Sequence, residues 1–161
     1  MSNFIENIIH RNSIRHRRSK TPTTLLPLHE LKEAVVLLDW NAPDAQQTSD
    51  ALVAFFGKAG IKVTFIKPGS KGLNPFGRFK NRDRLPEGRK VRRHEDLFLS
   101  LLPGSSYAEE FEAFCSPARF KIGRGVFRDR VYDFHITDPE GAVSSQYEVF
   151  GTVRDFLLKI K

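Results

Sequence analysis

The chain has 161 residues, a formal net charge of +7, 40% hydrophobic residues including 14 Phe, and one Cys. That apolar content can fill the core of a single domain, and a lone cysteine excludes an internal disulfide framework and fits a reducing, cytoplasmic compartment. No stretch approaches the roughly 20 apolar residues of a membrane span, and no secretory leader is read at the N-terminus.

Residues 3–18 are expected to form a short amphipathic helix, with Phe4, Ile5, Ile8 and Ile9 on one side and arginines towards its end, where cations suit the helix dipole. Within residues 1–20, Arg11, Arg15, Arg17, Arg18 and Lys20 stand against one acid, Glu6. Thr21-Pro22 to Pro27 reads as a linker, since two prolines in so short a run forbid continuous helix. Residues 1–27 are thus a basic helix and linker, and a compact domain spans 28–161.

Ala34–Leu38 is a continuous apolar run ending at Asp39-Trp40, the pattern of a strand buried on both faces. Asn41-Ala42-Pro43-Asp44 opens a helix whose stripe is Thr48, Leu52, Phe55, Phe56 and Ala59 and which Gly60 stops. Ile61–Ile66 is the next strand. Residues 67–94 break the pattern with four Gly and three Pro. Lys67, Lys71, Arg78, Lys80, Arg82, Arg84, Arg89, Lys90, Arg92 and Arg93 face only Asp83 and Glu87 in 67–93, so tail and insertion together exceed the chain's net charge and the remainder is acidic. Long gaps of this kind inside a domain are functional or disordered.

Asp96–Leu102 resumes as a strand, and Pro103–Ser106 turns into a helix where Ser106 and Glu109 have capping-box spacing and Tyr107, Phe111 and Phe114 form the apolar side. Ala118–Gly123 and Val131–Thr137 read as strands joined by a polar turn. Ser145 and Glu148 cap a last helix carrying Tyr147, Phe150, Val153, Leu157 and Ile160. This alternation predicts an α/β fold: one doubly wound, mostly parallel sheet of about five strands in the order 2-1-3-4-5, helices on both faces, the direction of the last strand open. Val36, Leu38, Phe55, Val63, Phe65, Leu99, Leu101, Phe111, Ile122 and Phe134 are the expected core.

The stretch Glu95–Leu101, a helix, and then Ala118-Arg119-Phe120-Lys121-Ile122-Gly123 resembles a family of small uncharacterised bacterial proteins in which a "DLLI" strand precedes a helix and an "AKFKIG" strand. The likeness covers roughly residues 28–160, including a closing hairpin and terminal helix, and implies a Rossmann-like α/β domain without implying an activity. The same stretch is similar to the N-terminal Rossmann-like half of heptosyltransferase-type glycosyltransferases, which carry an "A-x-R-x-I-G" strand. The second domain with which those enzymes bind a nucleotide sugar is not read here, so this resemblance implies fold rather than transfer chemistry.

Doubly wound sheets take ligands at the carboxyl ends of their strands, which places a candidate crevice between Asp39, Trp40, Asn41 and Gly104, Ser105, Ser106. Backbone N–H groups at that helix start could meet a phosphate, although capping alone also explains these residues. Neither G-x-G-x-x-G nor G-x-x-x-x-G-K-[ST] occurs. His10, His16, His29, His94 and His135 show no metal-ligand spacing, and Cys115 reads as a packed thiol, so no catalytic residue, metal or cofactor is assigned.

The basic segments carry the functional reading. Lys and Arg neutralise phosphates and aromatic rings stack on unpaired bases. Arg11, Arg15, Arg17, Arg18, Lys71, Arg78, Phe79, Lys80, Arg82, Arg84, Arg89, Lys90, Arg92 and Arg93 are the candidate contacts, with Phe76 interleaved among them. The expectation is a non-enzymatic, RNA- or ribonucleoprotein-binding protein, ribosomal RNA being one candidate. One alternative is a nucleotide or phosphate-ligand protein with the basic loop as lid over the crevice. A second is a peripheral protein held on an acidic membrane surface by residues 3–18.

Overall fold

The computed structural model describes residues 2–66, 73, 78–79 and 94–161, without the side chains of Ser2 and Asn3. In chain order the elements are α1 (Ser2–Arg17), a 3-10 turn (Leu28–Glu30), β1 (Glu33–Leu37), α2 (Ala45–Lys58), β2 (Lys62–Ile66), β3 (Leu97–Ser100), α3 (Tyr107–Cys115), β4 (Phe120–Gly123), β5 (Phe134–His135) and α4 (Gln146–Lys159). The five strands form one sheet ordered β2-β1-β3-β4-β5 in which every pairing is parallel.

β1 and β3 lie at the centre, with Val36 opposite Phe65 on one side and Leu99 on the other. Their continuous apolarity is used on both faces, because alternate residues of a strand point to opposite sides. Ala34, Val36, Leu38, Leu97, Leu99, Leu101 and Ile122 pack under α2 and α4, against Leu52, Phe56, Phe150 and Val153. Val35, Leu37, Ile66 and Phe98 face the other way, onto Ala108, Ala113 and Tyr132. Of the expected core, Phe55, Val63, Phe65 and Phe134 are half-buried at its margin, where strand edges and helix flanks remain wet.

The helix ends follow the local rules. Gly60, at φ 72°, closes α2, with Gly60 N–H donating to the Gly57 carbonyl and Ile61 N–H to that of Phe56. The left-handed turn that satisfies two terminal carbonyls in this way is cheap only for glycine. Residues 41–44 form a turn rather than a first helical turn, and the Asp44 carboxylate accepts from Tyr147 N–H, joining the starts of α2 and α4. Ser145 and Glu148 make both halves of a capping box. At α3 only half is made: Ser106 Oγ accepts from Glu109 N–H, and the Glu109 side chain turns inward.

One expectation is corrected. There is no closing hairpin, because β5 runs parallel to β4, with Ile122 opposite Phe134, and shrinks to two residues. Residues 124–133 therefore cross over, packing Phe127, Val131 and Tyr132 on the second face where a helix would ordinarily lie. The aromatic side of α3 does not face the sheet. Ala108, Glu109, Glu112 and Ala113 turn inward, and Tyr107, Phe111 and Phe114 turn to the opposite side, where α1 docks. Among the described residues no helix is long and apolar enough to cross a membrane.

Candidate polyanion face and the carboxyl-end network

α1 is held on the domain by its polar and aromatic residues. The His10 ring stacks on Tyr107 with centroids 3.6 Å apart, and the Arg18 guanidinium lies 4.8 Å from the centre of the Phe114 ring. Arg78 sits over Phe111 at 4.2 Å and donates to Ser13 Oγ. The linker continues the attachment through Ser19 N–H to the Phe114 carbonyl and Thr24 N–H to that of Arg119, each 2.9 Å. Arg11, Arg15, Arg17 and Arg18 remain exposed. So do Phe4, Ile5, Ile8 and Ile9, with Phe4 71% exposed.

Docking α1 assembles a cleft from parts far apart in sequence. It encloses about 120 Å³ and brings Arg18 together with Lys121 of β4 and Arg130 of the crossover. Its one acid, Asp133, is engaged on both oxygens: Thr23 Oγ1 donates to Oδ1 at 3.1 Å and Lys121 N–H to Oδ2 at 2.9 Å. Lys121 Nζ donates to the Ala113 carbonyl in the last turn of α3, and Arg130 donates to the carbonyls of Tyr132 and Asp133. Cations so placed, with the hydroxyl-bearing Ser19 and Thr21 beside them, suit an anion of several oxygens. Lys121 and Arg130 were not legible as site residues, because only the docking of the N-terminal segment makes them neighbours of Arg18.

Of the insertion, Lys71, Lys80, Arg82, Arg84, Arg89, Lys90, Arg92, Arg93 and Phe76 lie outside the described residues. Phe79 is corrected: it is 6% exposed and packs with Leu37, Ile66 and Phe98, so it is a core residue and not a platform for a base. An aromatic side chain that reaches the open second face of the sheet gains more by burial than by remaining in water.

The predicted crevice has both its halves at one edge, since β1 and β3 are parallel neighbours and Leu37 lies opposite Ser100. Several of its polar groups are already in use. Gln146 brackets residue 39, donating to its carbonyl and accepting from its N–H, and Asp39 Oδ1 accepts from Asn41 N–H. Trp40 packs edge-on against Phe65. Ser105 Oγ accepts from Val126 N–H and Ser106 Oγ caps α3, with Gly104 exposed between turns.

Beneath that edge lies a network the sequence did not reveal. Glu109 is 1% exposed, and its Oε1 accepts from Ser100 Oγ at 2.8 Å and Tyr132 Oη at 2.6 Å. Burial pushes its carboxyl up to about 7, against the opposing pull of those hydrogen bonds and of the Arg124 charge. Burial and the neighbouring Glu109 push the Tyr132 hydroxyl above its ordinary range. A side chain at Gly123 would overlap the Tyr132 ring, and one at Gly125 would come within 2.9 Å of Glu109 Oε1. Arg124, whose side chain is also buried, pairs with both oxygens of Asp138 and donates to the carbonyls of Leu101 and Ser144. The Arg124 hydrogen bond holds the Asp138 carboxyl below its usual range. A carboxyl sealed in this way can hold or release a proton but cannot touch a substrate, so the network braces the carboxyl edge. His135 Nε2 lies 2.9 Å from the Arg124 carbonyl, which makes it another brace.

Among the described residues no group of three or more His, Cys, Asp or Glu stands together as a metal site would need. In comparisons with known proteins, no family model, no curated protein and no solved structure matches this chain.

Proposed function

We propose that the protein is a non-enzymatic, cytoplasmic RNA-binding protein that docks on structured RNA, such as that of a ribosome or another ribonucleoprotein. The observation that carries this reading is the basic end of α1, where Arg11, Arg15 and Arg17, with Arg18 just beyond the last turn, are exposed on a segment fastened to the domain by the His10–Tyr107 stack and the Arg18–Phe114 contact. Charges fixed on a docked helix meet phosphates at less entropic cost than charges on a loose tail. The bases of 67–93 extend the positive charge in sequence. The reading is tested by sedimenting ribosomes from a lysate at low salt: the protein should travel with them and be stripped by moderate salt, and RNase should release it. A protein that stays in the supernatant at low salt refutes it.

A second reading has its own observation, the exposed Phe4, Ile5, Ile8 and Ile9 beside those arginines. This combination would let α1 lie in an anionic membrane interface, although its apolar face is short. Co-flotation with vesicles containing phosphatidylserine, abolished by Phe4→Ser with Ile8→Ser, would favour it over RNA.

A further inference from the structure

We propose that the cleft between residues 18–23 and β4 is a binding site for a single phosphate group. The inference stands apart from the RNA reading, because it concerns the group recognised and not the molecule that presents it.

The chemistry of the cleft is selective. Arg18, Lys121 and Arg130 place three cations around a space of about 120 Å³, and Asp133 is the one acid among the lining residues. Asp133 already accepts from Thr23 and from Lys121 N–H, so it serves to pin the linker to β4. The Lys121 ammonium donates to the Ala113 carbonyl at 2.6 Å, at the edge of the same cleft. Ser19 Oγ donates to Thr21 Oγ1 at 3.0 Å, which leaves the hydroxyl hydrogen of Thr21 to donate to a ligand. The space has room for a phosphate group. A phosphate monoester, carrying close to two negative charges and three terminal oxygens, uses several cations where a carboxylate would use fewer. The ester could be the 5′-phosphate of an RNA chain or that of a small phosphorylated molecule.

The test is thermal unfolding of the full chain with inorganic phosphate, chloride being adjusted to hold ionic strength constant. Wild type, Arg18→Gln and Arg130→Gln are compared, because the general stabilisation by excluded phosphate is common to all three. The wild type should show a rise that grows with the logarithm of phosphate concentration above Kd and reaches about 3–6 °C at ten times Kd, beyond the rise seen in either variant. Because a variant could be compromised in folding, calorimetric titration of the wild type with phosphate is the second measurement and should give a saturable isotherm. No saturable isotherm, or identical responses in wild type and both variants, overturns the proposal. Affinity for one RNA oligomer with and without a 5′-phosphate identifies the source. A preference of fivefold or more, lost in Arg130→Gln, assigns an RNA end, and no preference with the phosphate response intact assigns a small phosphate ester. A phosphate response without any RNA binding leaves this site standing and sinks the RNA reading alone.

Discussion

Replacing Glu109 by Gln should remove most of the dependence of stability on pH between 5 and 8. The carboxyl titrates near 4.5 in the unfolded chain and at about 7 in the folded protein, where burial raises it. Across that interval the folded state holds a proton that the unfolded state has released. The stabilisation is therefore complete below the unfolded value and declines as pH rises through the folded one. A shift of this size at 1.36 kcal/mol per unit amounts to about 3 kcal/mol, undiluted by solvent because Glu109 is 1% exposed. Glu110, raised by burial and by Asp129, adds a slope of the same sign. Asp138, lowered by Arg124, acts at the other end, where stability is lost as pH falls below the ordinary carboxylate range. In Glu109→Gln the amide oxygen can still accept from Ser100 and Tyr132, so the variant keeps the geometry and loses the titration. Urea unfolding at pH 5 and pH 8 should show the wild type weaker at pH 8 by about 3 kcal/mol and the variant keeping only the smaller slope left by Glu110. A wild type equally stable at both pH values, or a variant that falls as steeply, would refute the assignment of Glu109 as a buried proton-holding group.

Further substitutions test the packing. Leu99→Ala, at the centre of the sheet and fully buried, should cost about 2–5 kcal/mol in chemical denaturation, and a cost below about 1 kcal/mol would contradict its place in the core. Phe79→Ala should cost about 3–5 kcal/mol, whereas substitution of exposed Arg11 or Arg15 by Gln should stay within about 0.5 kcal/mol; equal effects would return Phe79 to the surface. Gly123→Ala should destabilise by at least about 1–3 kcal/mol because the new methyl group meets the Tyr132 ring, and pairing it with Tyr132→Leu should recover part of the loss.

The parallel core was legible because Ala34–Leu38 and Leu97–Leu99 are apolar without alternation, a pattern that needs cover on both faces. Gly60, Ser106 and Ser145 announced helix ends through local chemistry and behave accordingly. Glu109 escaped notice because its spacing from Ser106 already had a local explanation. Nothing local says that a carboxylate in a first helical turn will instead reach Ser100 and Tyr132 across the second face of the sheet. Phe79 was read by its basic neighbours, and its burial depends on a sheet face that α3 leaves partly uncovered. The aromatic stripe of α3 was correctly seen as one face, but a stripe does not name its partner, and here the partner is α1. The Arg18–Lys121–Arg130 cleft is a product of that docking and has no counterpart in sequence spacing.

If fixed cations on and beside α1 bind RNA through its phosphates, affinity must fall as salt rises. Fluorescence anisotropy of a labelled single-stranded RNA, titrated with protein from low to physiological salt, gives log K against log salt. About six phosphate contacts predict a slope near −4, and each of Arg11→Gln, Arg15→Gln and Arg17→Gln should flatten it by roughly 0.7 while leaving the fold unchanged. An affinity indifferent to salt, or a slope that none of the three substitutions alters, would contradict the claim.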